Sequence, residues 1–261
     1  MERIRAPMVT FSNRRQSEIM QTVRLHGACT IGELASQLQV SDETIRRNVK
    51  PLVSRGLILK VHGGIALPER LQEPPFQRRM AEHKIAKQRV AALAAKQIEN
   101  GDSLVIDSGS TTSYVALALC SHSNLLVVTN SAEIARTLAP RNGNRVYMAG
   151  GELRANDGAA FGPAVEAFVR QFEVRHAVLS IGGISASTGF MDFQLCEAEF
   201  ARAAIDQAEQ TLVVADRSKF GRKAPIKVCD ADAVDLLLTE APPPPPFAER
   251  LCEAGVRLMA A

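Results

Sequence analysis

The chain has 261 residues, 46% hydrophobic and 23% charged, with no tryptophan and a formal net charge of +3. That is the make-up of a globular chain long enough for two domains. No apolar run reaches membrane-spanning length and MERIRAPMVTFSNRRQ at the amino terminus lacks an apolar core, so neither a membrane span nor a secretory signal is expected.

Five scattered cysteines (29, 120, 196, 229 and 252) without a CxxC pair argue against disulfides and structural zinc and for the reducing cytoplasm. No metal or cofactor is expected. Charge is unevenly spread: residues 1–65 hold ten Lys/Arg and five Asp/Glu, a balance of +5, so the chain's +3 leaves −2 for the remainder. A basic small domain ahead of a mildly acidic larger one suits nucleic-acid binding by the first part alone.

In chain order, residues 1–11 are expected to fray, and Asn13 to Leu25 reads as a first helix with Ile19 and Val23 inward and Gly27 ending it. Ile31, Leu34, Ala35 and Leu38 recur at i, i+3, i+4, i+7 and mark one buried helix face. The pair Thr30 and Glu33 is a capping-box start. After a break at Gln39-Val40, Ser41 caps another helix, with Asp42 and Glu43 in the first turn, where the helix dipole favours acids. Ile45, Val49 and Leu52 form its buried face. At about 100° per residue Arg47 points nearly opposite, flanked by Glu43 and Lys50, with Thr44 and Arg46 on the shoulders. Gly56 is a helix stop, residues 57–61 read as a strand, and His62-Gly63-Gly64 as a sharp turn. Two helices joined by a tight turn, the second basic outside and followed by a basic wing, form a helix-turn-helix whose second helix fits a major groove. The bland alternative is a helical hairpin that only packs.

The stretch SDETIRRNVKPLVSRGLILKVHGG resembles the amino-terminal domain of the DeoR family of bacterial transcriptional regulators, which are winged helix-turn-helix repressors. The likeness runs from about Arg14 to Gly64. It implies contact with a double-stranded DNA operator through Ser41, Thr44, Arg46, Arg47 and Lys50 on the recognition helix, and through Lys60 and His62 on the wing. Two residues depart from the family pattern. Asn48 stands where aspartate is usual. Pro51 lies inside the helix, where it removes a donor and clashes with the carbonyl of Arg47, so a kink or an early end is expected.

Ala66 to Gln77, with Pro68, Pro74 and Pro75, has no clean period and reads as a linker. The expected division is therefore 1–65, a connecting stretch 66–83, and 84–261. From Lys84 a long helix is marked by Ile85-Ala86, Val90, Leu93-Ala94 and Ile98 and stopped at Asn100-Gly101. Short apolar runs at 103–106, 125–128, 146–148, 177–181, 212–215 and 236–238 then alternate with helical patterns at 112–119, 132–138, 163–172 and 196–208. This alternation implies an α/β fold, a mostly parallel sheet with helices on both faces. Pro242 to Pro246 reads as a stiff polyproline crossover before a last helix.

Ligands of open α/β sheets bind at the carboxyl ends of the strands. After Leu104-Val105-Ile106 comes Asp107-Ser108-Gly109-Ser110-Thr111-Thr112 and then a helix. Such a small, hydroxyl-rich turn offers N–H groups and a positive dipole end to a phosphate or carboxylate; the other reading is a capped helix start with no ligand. Asn130-Ser131, Ala149-Gly150-Gly151 with Arg154 behind, and Asp216-Arg217-Ser218-Lys219 close three further strands, and together they make a site for a small anion. Gly182-Gly183 adds a flexible loop.

DSGSTT, VVTNS, the glycine pair before ELR, and ADRSKF are similar, in that order, to the effector domain of the same family. The resemblance implies a ribose-5-phosphate-isomerase-like fold and a phosphorylated sugar or polyol effector held by Asp107, Ser108, Gly109, Ser110, Thr111, Thr112, Asn130, Ser131 and Lys219. Gly183-Ile184-Ser185 departs from the family's Gly-Ile-Asp. GFMDFQLCEAEFARAAI, with KVC further on, looks closest to the glycerol-3-phosphate-responsive branch, which makes glycerol 3-phosphate the candidate effector. Half-site spacing on an operator implies a homo-oligomer, at least a dimer. The competing function is a sugar-phosphate isomerase with a regulatory first domain, using Asp192, Glu197 or Asp216 as base and Lys219 at the oxyanion. No paired acid–base set stands out, so a regulator and not an enzyme is expected.

Overall fold

The computed structural model describes residues 14–26, 28–61, 64–66 and 73–261. The chain divides into two units, Met1–Glu73 and Pro74–Ala261.

In the first unit, α1 (Arg14–His26) is followed by the short strand β1 (Ala28–Thr30), α2 (Ile31–Gln37), α3 (Asp42–Ser54), β2 (Leu59–Val61) and β3 (Gly64–Ala66). The capping box at Thr30 forms as the sequence expects: Thr30 N–H donates to Glu33 at 2.7 Å and Glu33 N–H donates to the Thr30 hydroxyl at 3.1 Å. Strands β2 and β1 both pair antiparallel with β3. Gly56 takes φ +67°, the left-handed conformation that lets α3 end and the chain turn into the wing. Ile19, Val23, Leu34, Ile45, Leu52, Ile58 and Ile65 are fully buried. At about 1.5–3 kcal/mol each, they hold the three helices and the wing as one core.

The second unit starts with α4 (Phe76–Ala81) and α5 (Lys84–Ala95). The linker reading covers residues 66–83, and α4 falls within it as an ordered helix of the second unit, its Met80 carbonyl accepting from the Tyr114 hydroxyl at 2.9 Å. Then come β4 (Ser103–Ile106), α6 (Ser110–Ala118), β5 (Leu126–Thr129), α7 (Ala132–Leu138), β6 (Arg145–Met148), α8 (Pro163–Val169) and β7 (Val174–Ser180). The rest is β8 (Gly183–Ser185), β9 (Gly189–Asp192), α9 (Leu195–Ile205), β10 (Ala208–Val214), β11 (Ile226–Cys229), β12 (Leu236–Thr239), α10 (Pro245–Glu253) and β13 (Arg257–Ala260).

Seven of these strands form one parallel sheet, in the order β13-β12-β10-β7-β4-β5-β6. Alternation along the strands explains why helices cover both faces. Leu104, Ile106, Val127, Leu212 and Val214 point into a core with Val90, Ala94, Val115 and Ile134 of α5, α6 and α7. Their neighbours Val105, Val128 and Val213 point into the opposite core, with Val165, Phe200, Ala201 and Leu251 of α8, α9 and α10. Strands β8, β9 and β11 make a separate antiparallel sheet, and β13 adds an edge strand; neither is expected from the sequence. The proline tract also differs from expectation. Pro245 and Pro246 form the first turn of α10, with Pro244 as its cap. Proline is at home there because first-turn N–H groups have no helical partner.

The strand order reverses once. From β4 the chain builds outward to β5 and β6, then returns to place β7 on the other side of β4 and continues to β10, β12 and β13. The carboxyl ends of β4 and β7 therefore flank the switch point where such sheets open a crevice.

Candidate functional site

On α3, Ile45, Val49 and Leu52 are buried while Arg46, Arg47 and Lys50 are exposed. Ser41 caps the helix: its hydroxyl accepts from Thr44 N–H at 3.3 Å and shares a 3.0 Å hydrogen bond with the Thr44 hydroxyl. Arg46 lies 4.0 Å from Asp42, with both side chains more than half exposed, a pair too weak to hold the guanidinium back from another partner. Lys60 is exposed on β2, and His62 lies outside the described residues. Helix α3 does not end early at Pro51. It runs to Ser54, and the Pro51 carbonyl accepts from Arg55 N–H at 3.2 Å and from the Ser54 hydroxyl at 3.0 Å. Pro51 is exposed and in the last turns, so the one carbonyl it leaves without a donor, that of Arg47, is on the side that faces water. Asn48 is turned inward, 9% exposed, with Nδ2 donating to the Thr44 carbonyl at 2.8 Å.

In the second unit the expected residues cluster along the carboxyl edge of the sheet. Asp107, leaving β4, accepts at Oδ2 from Ser180 N–H at 2.9 Å and from the Ser180 hydroxyl at 3.0 Å. Packing around this half-buried carboxyl pushes its pKa up to about 6, against the hydrogen bonds from Thr112, Ser180 and Gly109. Gly109 sits so close to β7 that an added Cβ would lie 1.7 Å from the Ser180 hydroxyl. The Thr112 hydroxyl is spent within the turn, accepting from Gly109 N–H at 2.9 Å and donating toward the Asp107 carbonyl at 3.0 Å. Ser131 is likewise spent as the cap of α7. By contrast, among the described residues no hydrogen bond occupies the hydroxyls of Ser108, Ser110 and Thr111, all three buried. Asn130 is fully buried; its Nδ2 donates to the Ala160 carbonyl at 3.0 Å, while its Oδ1 has no partner among the described residues. Lys219 lies in the turn after β10, buried at 8% exposure.

The carboxylates an isomerase would need are bound up in structure. Asp216 caps the turn that carries Lys219, accepting from Ser218 N–H at 2.9 Å and from the Ser218 hydroxyl. Glu197 receives Arg154 at 2.6 Å, and Asp192 accepts from Phe193 N–H at 2.8 Å. Arg154 also pairs with Asp157 and stacks 4.4 Å from the Phe161 ring centroid. Ser185 lines a cleft of about 520 Å³ with Asp230, Asp232 and Arg250. None of the expected effector residues lines that cleft.

Lys87 is absent from the expected set. It is 3% exposed, and burial lowers its pKa to about 8, opposed by the charge of Asp216 and reinforced by that of Lys219. The sequence does carry a signal for it: Lys87, Val90, Ala91 and Ala94 fall at i, i+3, i+4, i+7, so a lysine occupies a core position of α5.

Comparison with known proteins places both halves of the chain. The family model described as "DeoR-like helix-turn-helix domain" matches residues 15–70, and that described as "DeoR C terminal sensor domain" matches residues 82–241. The chain is 38% identical to the "Glycerol-3-phosphate regulon repressor" of Escherichia coli (strain K12), over 94% of this chain and 97% of that protein. It is 30% identical to the "HTH-type transcriptional repressor CsqR" of the same organism, over 95% of each. Among solved structures, ribose 5-phosphate isomerase A from Methanocaldococcus jannaschii aligns with 54% of this chain and 56% of its own, at 14% identity and a TM-score of 0.40.

Proposed function

The chain belongs to the DeoR family of transcriptional regulators, and on that footing we propose that it represses a sugar or polyol operon and that glycerol 3-phosphate is the metabolite controlling it. It is a DNA-binding regulator with its helix-turn-helix in the first unit and its sensor in the second. The observation that carries the reading is the pairing, in one chain, of a solvent-facing basic helix with a hydroxyl-bearing turn at a sheet's switch point.

In this reading residues 1–65 bind the operator and 84–261 bind the effector. Arg46, Arg47 and Lys50 contact phosphates and base edges, with Ser41 and Thr44 at the helix entry and Lys60 and His62 on the adjacent backbone. The turn Asp107–Thr112 receives the phosphate. Its support is the free hydroxyls of Ser108, Ser110 and Thr111 and the dipole end of α6, with Lys219 supplying positive charge. A buried acceptor without a donor costs about 1–3 kcal/mol, and Asn130 Oδ1 suits a polyol hydroxyl. Ser131 and Thr112 contribute by shaping the turns. The operator's paired half-sites call for at least a dimer, and DNA binding puts the work in the cytoplasm. Each tenfold change in operator affinity requires about 1.4 kcal/mol of preference for one arrangement of the protein.

The experiment is fluorescence anisotropy of the full chain on its operator DNA, with and without glycerol 3-phosphate. A change of tenfold or more in apparent Kd supports the reading. No change with glycerol 3-phosphate, but a change with another phosphorylated metabolite, replaces the effector and keeps the class.

A further inference from the structure

Helix α4 has six residues, too few to be stable alone, and an α-helix leaves its last carbonyls without helical donors. Here two of those carbonyls, of Arg79 and Met80, and that of the cap residue Glu82 are taken by side chains from other elements. Lys87 Nζ, on α5, donates to the Arg79 carbonyl and, at 3.0 Å, to the Glu82 carbonyl. The Tyr114 hydroxyl, on α6, donates to the Met80 carbonyl at 2.9 Å. At the other end of α4, Asn156 Oδ1, in the loop after β6, accepts from Phe76 N–H at 3.1 Å. The turn that follows α4 is itself strained, with His83 at φ +52°.

Two of the groups that grip α4 belong to elements on the rim of the candidate effector site. Tyr114 is on the helix whose first turn is Ser110–Thr112. Asn156 follows the glycine pair Gly150-Gly151. The third, Lys87 on α5, feels the charges of Asp216 and Lys219 in the turn after β10, as well as those of Arg79 and Glu82. Along the chain, α4 is the first element after the boundary at Glu73 and Pro74.

We infer that α4 is the reporting element of the sensor and that Lys87 is the positioning residue that couples it to the effector site. The inference rests on the reading that a phosphorylated effector binds this rim. A dianion bound beside Lys219 draws the Lys87 ammonium off two neutral carbonyls, because a full negative charge attracts an ammonium more strongly than the partial charge of a carbonyl oxygen does. The carboxyl end of α4 then loses two of the hydrogen bonds that fix it, and the segment leading to the DNA-binding unit is released.

The test is hydrogen–deuterium exchange on the full chain, following amides 76–84, alongside calorimetric titration with glycerol 3-phosphate and with inorganic phosphate. Without ligand, Lys87→Met and Tyr114→Phe should each exchange the α4 amides about tenfold faster than wild type. Ligand should speed α4 exchange in wild type and leave Lys87→Met unmoved, although the variant still binds ligand, about tenfold more weakly. Correspondingly, the ratio of operator affinities with and without glycerol 3-phosphate should fall toward one in Lys87→Met. A merely structural lysine would not change that ratio. Should Lys87→Met fail to fold, Tyr114→Phe, which loses a single oxygen, carries the exchange test. Wild type that binds ligand with no change at α4 overturns this inference alone. The absence of calorimetric binding fails the effector reading and this inference together.

Discussion

Asp107 and Ser180, 73 residues apart in sequence, are joined by two hydrogen bonds from the Ser180 backbone and hydroxyl to one carboxylate oxygen, at 2.9 and 3.0 Å. They tie the ends of β4 and β7 where the strand order reverses, and so fix the turn Ser108–Thr112 before any ligand arrives.

That link has a pH signature. The Asp107 carboxyl is raised from 3.8 to about 6 in the folded chain, so its neutral form is favoured by folding. Its stabilising contribution is fully present below about pH 4 and is lost as pH rises through 6. At ~1.4 kcal/mol per unit this is at most about 3 kcal/mol, and less because the carboxyl keeps some contact with solvent. Urea midpoints of wild type and Asp107→Asn, compared from pH 4 to 7.5, should diverge over that window, wild type losing ground to the variant. Parallel curves would show that the carboxyl titrates normally.

Gly109→Ala should be severe for steric reasons. The added Cβ would fall 1.7 Å from the Ser180 hydroxyl and 2.5 Å from its Cβ, so β4 and β7 must part. Overpacking of this kind costs about 1–3 kcal/mol, and thermal melts should show the loss together with weakened effector binding. A variant that melts like wild type would mean the turn has room the structure does not show.

At the DNA surface two substitutions should differ in kind. Arg47→Ala should reduce discrimination between operator and mutated operator by about 10–100-fold, the ~1–3 kcal/mol of a base contact. Lys60→Ala should weaken all sequences alike and lower the salt slope by about one. Equal losses on operator and unrelated DNA for Arg47→Ala would remove it from base recognition.

Pro51→Ala restores a donor for the Arg47 carbonyl in an exposed turn of α3. Proline costs a helix interior about 3 kcal/mol or more and less in the last turn, where Pro51 stands, so denaturation of the first unit should shift toward higher stability by about 1–3 kcal/mol, with operator preference retained. A drop in stability would show that the proline ring fits this turn better than a restored bond.

The helix-turn-helix is legible in sequence because its determinants are local. Thr30 with Glu33, and Ser41 with Thr44, are three residues apart, and each forms the expected cap. Six of the seven parallel strands are legible to within a few residues because each contains a short apolar run; β13, exposed at both ends, is not. What escapes is decided at long range. Helix α4 lacks a period of its own and exists through Lys87, Tyr114 and Asn156. Strands β8, β9 and β11 are three or four residues each and are defined by one another. The same holds for the rim: the hydroxyls look alike in the string DSGSTT, yet contacts among the described residues occupy Thr112 and leave Ser108, Ser110 and Thr111 open. Lys87 is overlooked for the opposite reason: its place on the buried stripe with Val90, Ala91 and Ala94 is legible, but a lysine there is easily taken for surface.

The reversal of strand order has a consequence for biosynthesis. Capping and packing of residues 14–66 join near neighbours, and contacts of that kind close quickly. The switch-point crevice needs β7, so it is missing from a nascent chain until residue 180 has left the ribosome, and linking ends 73 residues apart costs about 4 kcal/mol in loop entropy. Translation therefore completes the part that grips the chromosome before the part that hears the metabolite, and a chain cut short between them would be deaf to the signal that governs its full-length siblings.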